Sequence, residues 1–128
     1  EGFEVELVIA KNLPSNEMRF IQAQCDILID QLIYGAWGST TVEGLALGKP
    51  VICYIRKDWM DFFLQTFPEY TKLPVISATP DSIYSVLRRL LLSPSELKSI
   101  GKESREFSLQ HFNPSSNAKD LARLLFSL

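Results

Sequence analysis

Residues 25–55 read CDILIDQLIYGAWGSTTVEGLALGKPVICYI, and the order of their parts decides the fold. Residues 26–32 (DILIDQL) are expected to form a strand. Ile27, Leu28 and Ile29 follow one another without alternation, as in a strand covered on both faces. The loop 33–39, with Ile33-Tyr34-Gly35-Ala36-Trp37-Gly38, is rich in glycine. A helix over about residues 40–47 follows and ends at Gly48-Lys49-Pro50, where glycine supplies a left-handed stop and proline forbids continuation. VICYI (51–55) is the next strand.

The flanks keep this alternation. EVELVIA (4–10) reads as an earlier strand with Val5, Leu7 and Ile9 on one face. Pro14-Ser15-Asn16-Glu17 opens a short helix to about Gln24, with Ser15 or Asn16 as its cap. Residues 58–67 form a short aromatic helix (Trp59, Phe62, Phe63, Phe67), and PVISA (74–78) a fourth strand. Thr79-Pro80-Asp81 places a capping residue before a proline at the first helical position. Ile83, Val86, Leu87, Leu90 and Leu91 form that helix's apolar stripe, with Arg88 and Arg89 off it. Ser93-Pro94-Ser95-Glu96 is a capping box for a helix to about Phe112. Asn113-Pro114 starts a final helix over 114–127, with Ala118, Leu121, Ala122, Leu125 and Leu128 as its apolar side. Strands alternating with helices imply an α/β fold: a Rossmann-like parallel sheet of about four strands flanked by helices and closed by two or three consecutive helices.

Composition narrows the function classes. The chain has 128 residues, 46% of them hydrophobic, with 15 acids against 13 bases. That suits one domain with a real core and argues against a nucleic-acid partner, which selects a basic face. No apolar run approaches the roughly 20 residues of a membrane span. The start at Glu1-Gly2-Phe3 suggests a piece of a longer protein. Cys25 and Cys53 are too few for a disulfide framework or a zinc site and read as small buried hydrophobes. His111, the one histidine, sits near a helix end, where a cation complements the dipole. No metal site is expected.

Ligands of parallel α/β sheets sit beyond the carboxyl ends of the strands, so the 33–39 loop is the candidate site. Its glycines let backbone approach a ligand. The first free amides of the next helix, near Ser39, Thr40 and Thr41, form an anion seat. Glu43 follows within about a turn and could accept hydrogen bonds from two sugar hydroxyls. Thr40-Thr41-Val42-Glu43 is equally a T-x-x-E capping box, in which Glu43 satisfies a backbone donor. Spacing alone supports both.

Residues 25–55 resemble the donor-binding domain of GT-B glycosyltransferases of the glycosyltransferase 1/4 group. The family pattern is an acidic residue opening a strand, a Glu-Gly-Phe-Gly-like loop, a Glu, and an Ala-x-Gly-x-Pro-Val ending. Its counterparts are Asp26, Gly35-Ala36-Trp37-Gly38, Glu43 and Ala46-Leu47-Gly48-Lys49-Pro50-Val51. Residues 81–112 look like the family's closing helices, so the likeness covers most of the chain.

The resemblance implies the donor-binding part of a retaining enzyme that moves a sugar from a nucleotide diphosphate to an acceptor, inactive alone. Glu43 matches the glutamate that bonds the ribose. Trp37, Gly38, Ser39 and Thr40 match the turn against the donor sugar and diphosphate, and Ala10, Lys11 and Asn12 follow the strand that borders the base. The donor is a substrate, so no cofactor is implied; the acceptor is a glycan, lipid or small molecule. The missing partner is an N-terminal domain, and the apolar side of the last helix is left for it or for a homodimer. A cytoplasmic place goes with such enzymes, with a peripheral one at the inner membrane face as the option.

Two departures stand out. The family's first glutamate falls on Gly35, and its diphosphate-clamping basic pair has no counterpart here. Lys49, Arg56 and Lys57 are the nearby cations and read as solvated surface charge. Asp30-Gln31 replaces an apolar residue and a proline; Asp30 could face the site, but capping a neighbouring loop is the favoured reading. The alternative function is a non-catalytic α/β binding or oligomerisation module. A receiver-like or redox domain is unsupported: no acidic cluster ends the first strand and there is no C-x-x-C.

Overall fold

The computed structural model describes residues 2–70 and 72–127. It is an α/β fold: α1 (Ser15–Gln24), β1 (Leu28–Ile29), α2 (Ser39–Ala46), β2 (Val51–Ile52), α3 (Lys57–Thr66), β3 (Val75–Ile76), α4 (Ile83–Leu91), α5 (Pro94–His111) and α6 (Pro114–Phe126). The three strands form an open parallel sheet in the order β1-β2-β3, with Leu28 beside Val51 and Val51 beside Val75.

Successive side chains of a strand point to opposite faces, and both faces are covered. Leu28 and Val51 join Leu45 of α2 and Phe107 of α5 in one buried cluster, against which Val75 packs. Ile52 joins Ala78 and Leu90 in a second, with Ile83, Val86 and Leu87 of α4 and Leu97 and Ile100 of α5 around it. The expected stripe of α4 therefore faces the core. Glycine lets the helices close in. A Cβ on Gly44 would lie 2.6 Å from Val51 Cγ2, and one on Gly101 2.6 Å from the Gly48 carbonyl oxygen. Gly48 has φ +69° and ends α2 as its sequence requires.

Several expectations need correction. Residues 4–10 pair with no strand among the described residues, so the sheet has three strands. Val5, Leu7 and Ile9 are all exposed. Alternation decides which side chains share a face, but a strand also needs a neighbouring edge to satisfy its amides. Neither Ser15 nor Asn16 caps α1, which follows Pro14 and lacks a side-chain cap. Pro80 lies in a turn before α4, where Thr79 accepts the Ser82 and Ile83 amides through its carbonyl. The Ser93 capping box does not form, because Glu96 pairs with Arg89. Asn113 does cap α6, accepting the Ser115 amide at 3.0 Å. Leu128 lies outside the described residues.

Candidate functional site

The loop between β1 and α2 leaves the carboxyl end of the sheet and is held by two adjacent side chains. Asp30 Oδ2 accepts the Gly38 amide at 2.9 Å and the Thr41 hydroxyl at 2.7 Å. Gln31 Nε2 donates to the carbonyls of Ala36 (2.7 Å) and Tyr54 (2.8 Å). Gln31 Oε1 accepts the amides of Ile33 (2.9 Å) and Tyr34 (2.6 Å). One carboxamide thus ties the loop to itself and to the chain leaving β2.

Gly35 is buried at φ +92°, and a Cβ there would meet Arg56 Cγ at 2.4 Å. Its carbonyl accepts the Arg56 amide at 2.8 Å. Gly35 carries no side chain, and its backbone packs closely on Arg56. Trp37 turns onto α3, its ring centroid 4.4 Å from Trp59 and 4.8 Å from Phe63. Phe63 carries the contact on to Tyr70, which stacks on His111 at 4.3 Å.

The amides of Ser39, Thr40 and Thr41 have no acceptor among the described residues. They are the orphan donors of a helix start. Ser39 is exposed, Thr40 half-buried and Thr41 buried. Glu43 is half-buried, and its Oε2 accepts Gln22 Nε2 of α1 at 2.9 Å. The local capping box is not made: α2 starts after Gly38, so Thr40 is already helical. A carboxylate bears two oxygens and about four lone pairs. Glu43 thus keeps accepting capacity beyond the Gln22 bond.

The other candidates stand apart. Lys11 and Asn12 are exposed and make no hydrogen bond to this loop among the described residues; Asn12 has φ 55°. Arg56 pairs with Asp58 at 3.0 Å and Lys57 with Asp61 at 2.9 Å, both on the surface. These bonds hold the Asp58 carboxyl below its ordinary range and raise the Lys57 ammonium. Lys49 precedes β2 at the opposite, amino end of the strands. Cys53 is buried beneath the loop, its thiol pushed up by burial.

Sequence reasoning singles out Gly35–Thr41 and Glu43 but misses Gln22, the buried residue of α1. Gln31 stands out in the sequence as a departure from the resemblance, and its role as the loop's tie depends on partners that the structure supplies. No family model, curated protein or solved structure matches the chain.

Proposed function

We propose that the chain is the donor-holding part of a retaining glycosyltransferase, a partial GT-B C-terminal domain with a Rossmann-like sheet. It would transfer a sugar from a nucleotide diphosphate to a glycan, lipid or small-molecule acceptor. One arrangement carries the reading. The unpaired amides at the start of α2 lie beyond the carboxyl edge of a parallel sheet, with the Glu43 carboxylate on the following turn. Amides at a helix start suit a phosphate, and a carboxylate with spare lone pairs suits a ribose diol.

A helix start contributes about 0.3–1 kcal/mol at an exposed site, too little to stabilise a departing diphosphate. Further cations and the acceptor would come from an N-terminal domain, and the chain alone would bind without turning over. In a cell it would work in the cytoplasm, with a lipid acceptor drawing it to the inner membrane face. Among the described residues no helix is long and apolar enough to cross a membrane.

Titration of the labelled chain with uridine, guanosine and adenosine diphosphates and their sugars tests this by NMR. Shifts centred on Ser39–Glu43, weakened about tenfold in affinity by Glu43→Gln, are expected, equivalent to one lost charge-assisted hydrogen bond. No perturbation there by any of these ligands overturns the reading.

One observation favours the second reading, a non-catalytic α/β module. Asp30 already fills the Gly38 end of the seat with the chain's own negative charge. In that reading, Asp30→Asn creates no nucleotide binding.

A further inference from the structure

A second concave surface lies at the amino ends of the strands, remote from the loop just described. It is an open groove of about 690 Å³ between the segments leading into β1 and β2 and the helices α4 and α5. Ile27, Pro50, Leu91 and Leu97 supply an apolar floor, and Lys49, Lys98, Lys102 and Arg105 surround it. Asp26 is the one carboxylate of this lining. The groove therefore gathers four of the chain's 13 bases with one of its 15 acids. On a chain of formal charge −2, that is a local reversal of sign.

The cations are arranged as well as concentrated. Lys98, Lys102 and Arg105 stand at i, i+4 and i+7 on α5, so they form one stripe spanning roughly 10 Å. Lys49 stands across the groove. Lys49 and Lys98 have no ion-pair partner among the described residues, and Lys102 reaches Glu106 only at 3.8 Å. Arg105 spends one N–H on the Ala46 carbonyl and keeps others for a ligand.

We propose that this groove docks an acidic segment of a partner protein that places aliphatic side chains between its carboxylates. A single phosphate is too short to reach cations spread over that stripe. A flat lipid surface does not enter a concave floor. A nucleic acid would leave the aliphatic floor unused, since its interfaces are polar and its bases stack on aromatic or guanidinium planes. A peptide with carboxylates on one face matches both spacing and floor. The cations steer it and fix its register, and the floor adds burial.

The test uses a short fluorescein-labelled peptide of Glu, Leu and Ala, its Gln-for-Glu counterpart, and labelled oligothymidylate, each titrated into the chain. The Glu peptide binds saturably and the Gln peptide at least about tenfold more weakly. Lys98→Glu with Lys102→Glu, both at exposed positions, lowers Glu-peptide affinity by a similar factor with an unchanged circular dichroism melt. Lys49→Gln, on the other rim, weakens it less and gives an independent check should the double variant unfold. Absence of saturable Glu-peptide binding, or affinity indifferent to these substitutions, overturns the proposal. So does oligothymidylate binding as tight as the peptide and lost in the same variants, which would make the surface a general polyanion patch.

Discussion

Asp30 Oδ2 caps helix α2 from the end of the preceding strand, accepting the Gly38 amide at 2.9 Å. Gly38 has no side chain with which to cap the helix itself, so the strand supplies one. The same oxygen takes the Thr41 hydroxyl at 2.7 Å, which ties the first turn of α2 to the residue that follows β1. An acidic cap at a helix start also lies favourably in the helix dipole. Asp30 therefore sets a negative charge beside the unpaired Ser39, Thr40 and Thr41 amides, where it opposes an incoming anion.

Asp30→Ala removes the acceptor from both donors, and the expected loss is about 1–3 kcal/mol in urea denaturation. Asp30→Asn keeps one acceptor oxygen and loses less. If the α2 start is a phosphate seat, Asp30→Asn also tightens nucleoside diphosphate binding, because a repelling charge has gone. An Ala variant as stable as the natural chain would show that water replaces the cap without cost.

Gln31 is expected to matter as much to the loop as Asp30 does to the helix. Gln31→Ala strands the carbonyls of Ala36 and Tyr54 and the amides of Ile33 and Tyr34. Ile33 and Tyr34 are exposed, so water rescues their amides, whereas the partly buried carbonyls fare worse. A loss of about 2 kcal/mol follows. Amide hydrogen exchange checks its location: protection falls at Arg56, whose amide depends on the Gly35 carbonyl, before it falls in β2. Uniform loss across the sheet would mean that Gln31 supports the whole core.

Cys53 gives the fold an alkaline limit. Burial raises its thiol above the ordinary value of 9.0, ahead of the Gln31 hydrogen bond that lowers it. The native state then holds the proton more tightly than the unfolded chain. This contribution to stability is complete below about pH 9 and is lost as pH rises through the native thiol's value. Denaturation midpoints should fall above that pH, and Cys53→Ala should remove part of the slope. Tyr70, raised by burial above 10.0, leaves a remainder at higher pH. An identical slope in the variant would assign the whole effect to other groups.

Features set by local chemistry were readable from the residues. Gly48 and Pro50 end α2 and start β2 because a left-handed stop and a missing amide act wherever they stand. The stripe Ile83, Val86, Leu87 and Leu90 finds the core because helical periodicity needs only one apolar neighbour. Features that depend on a distant partner were not readable. Glu43 and Glu96 both fit a local capping box, yet each takes a partner from another helix, Gln22 and Arg89. Residues 4–10 carry a strand's alternation, but no sheet edge meets them. Within the candidate site, the glycines and the helix start were visible, while Trp37 turned inward because α3 offers Trp59 and Phe63.

The last helix leads to a test of association. Ala118, Leu121, Ala122 and Leu125 recur at i, i+3, i+4 and i+7, the spacing of a face made for burial. Yet α6 contributes no buried residue: Leu121 is 56% exposed, Leu125 59% and Phe126 90%. Leaving three large apolar side chains in water forgoes about 1.5–3 kcal/mol each relative to full burial, so a second copy pairing through this face is favoured by mass action. Sedimentation should show the average mass rising with concentration. Leu121→Glu with Leu125→Glu should return a monomer without lowering the melting temperature, since neither side chain supports the core of the single chain. A constant monomer mass at every concentration would mean that α6 waits for a different surface, and the homodimer would be excluded.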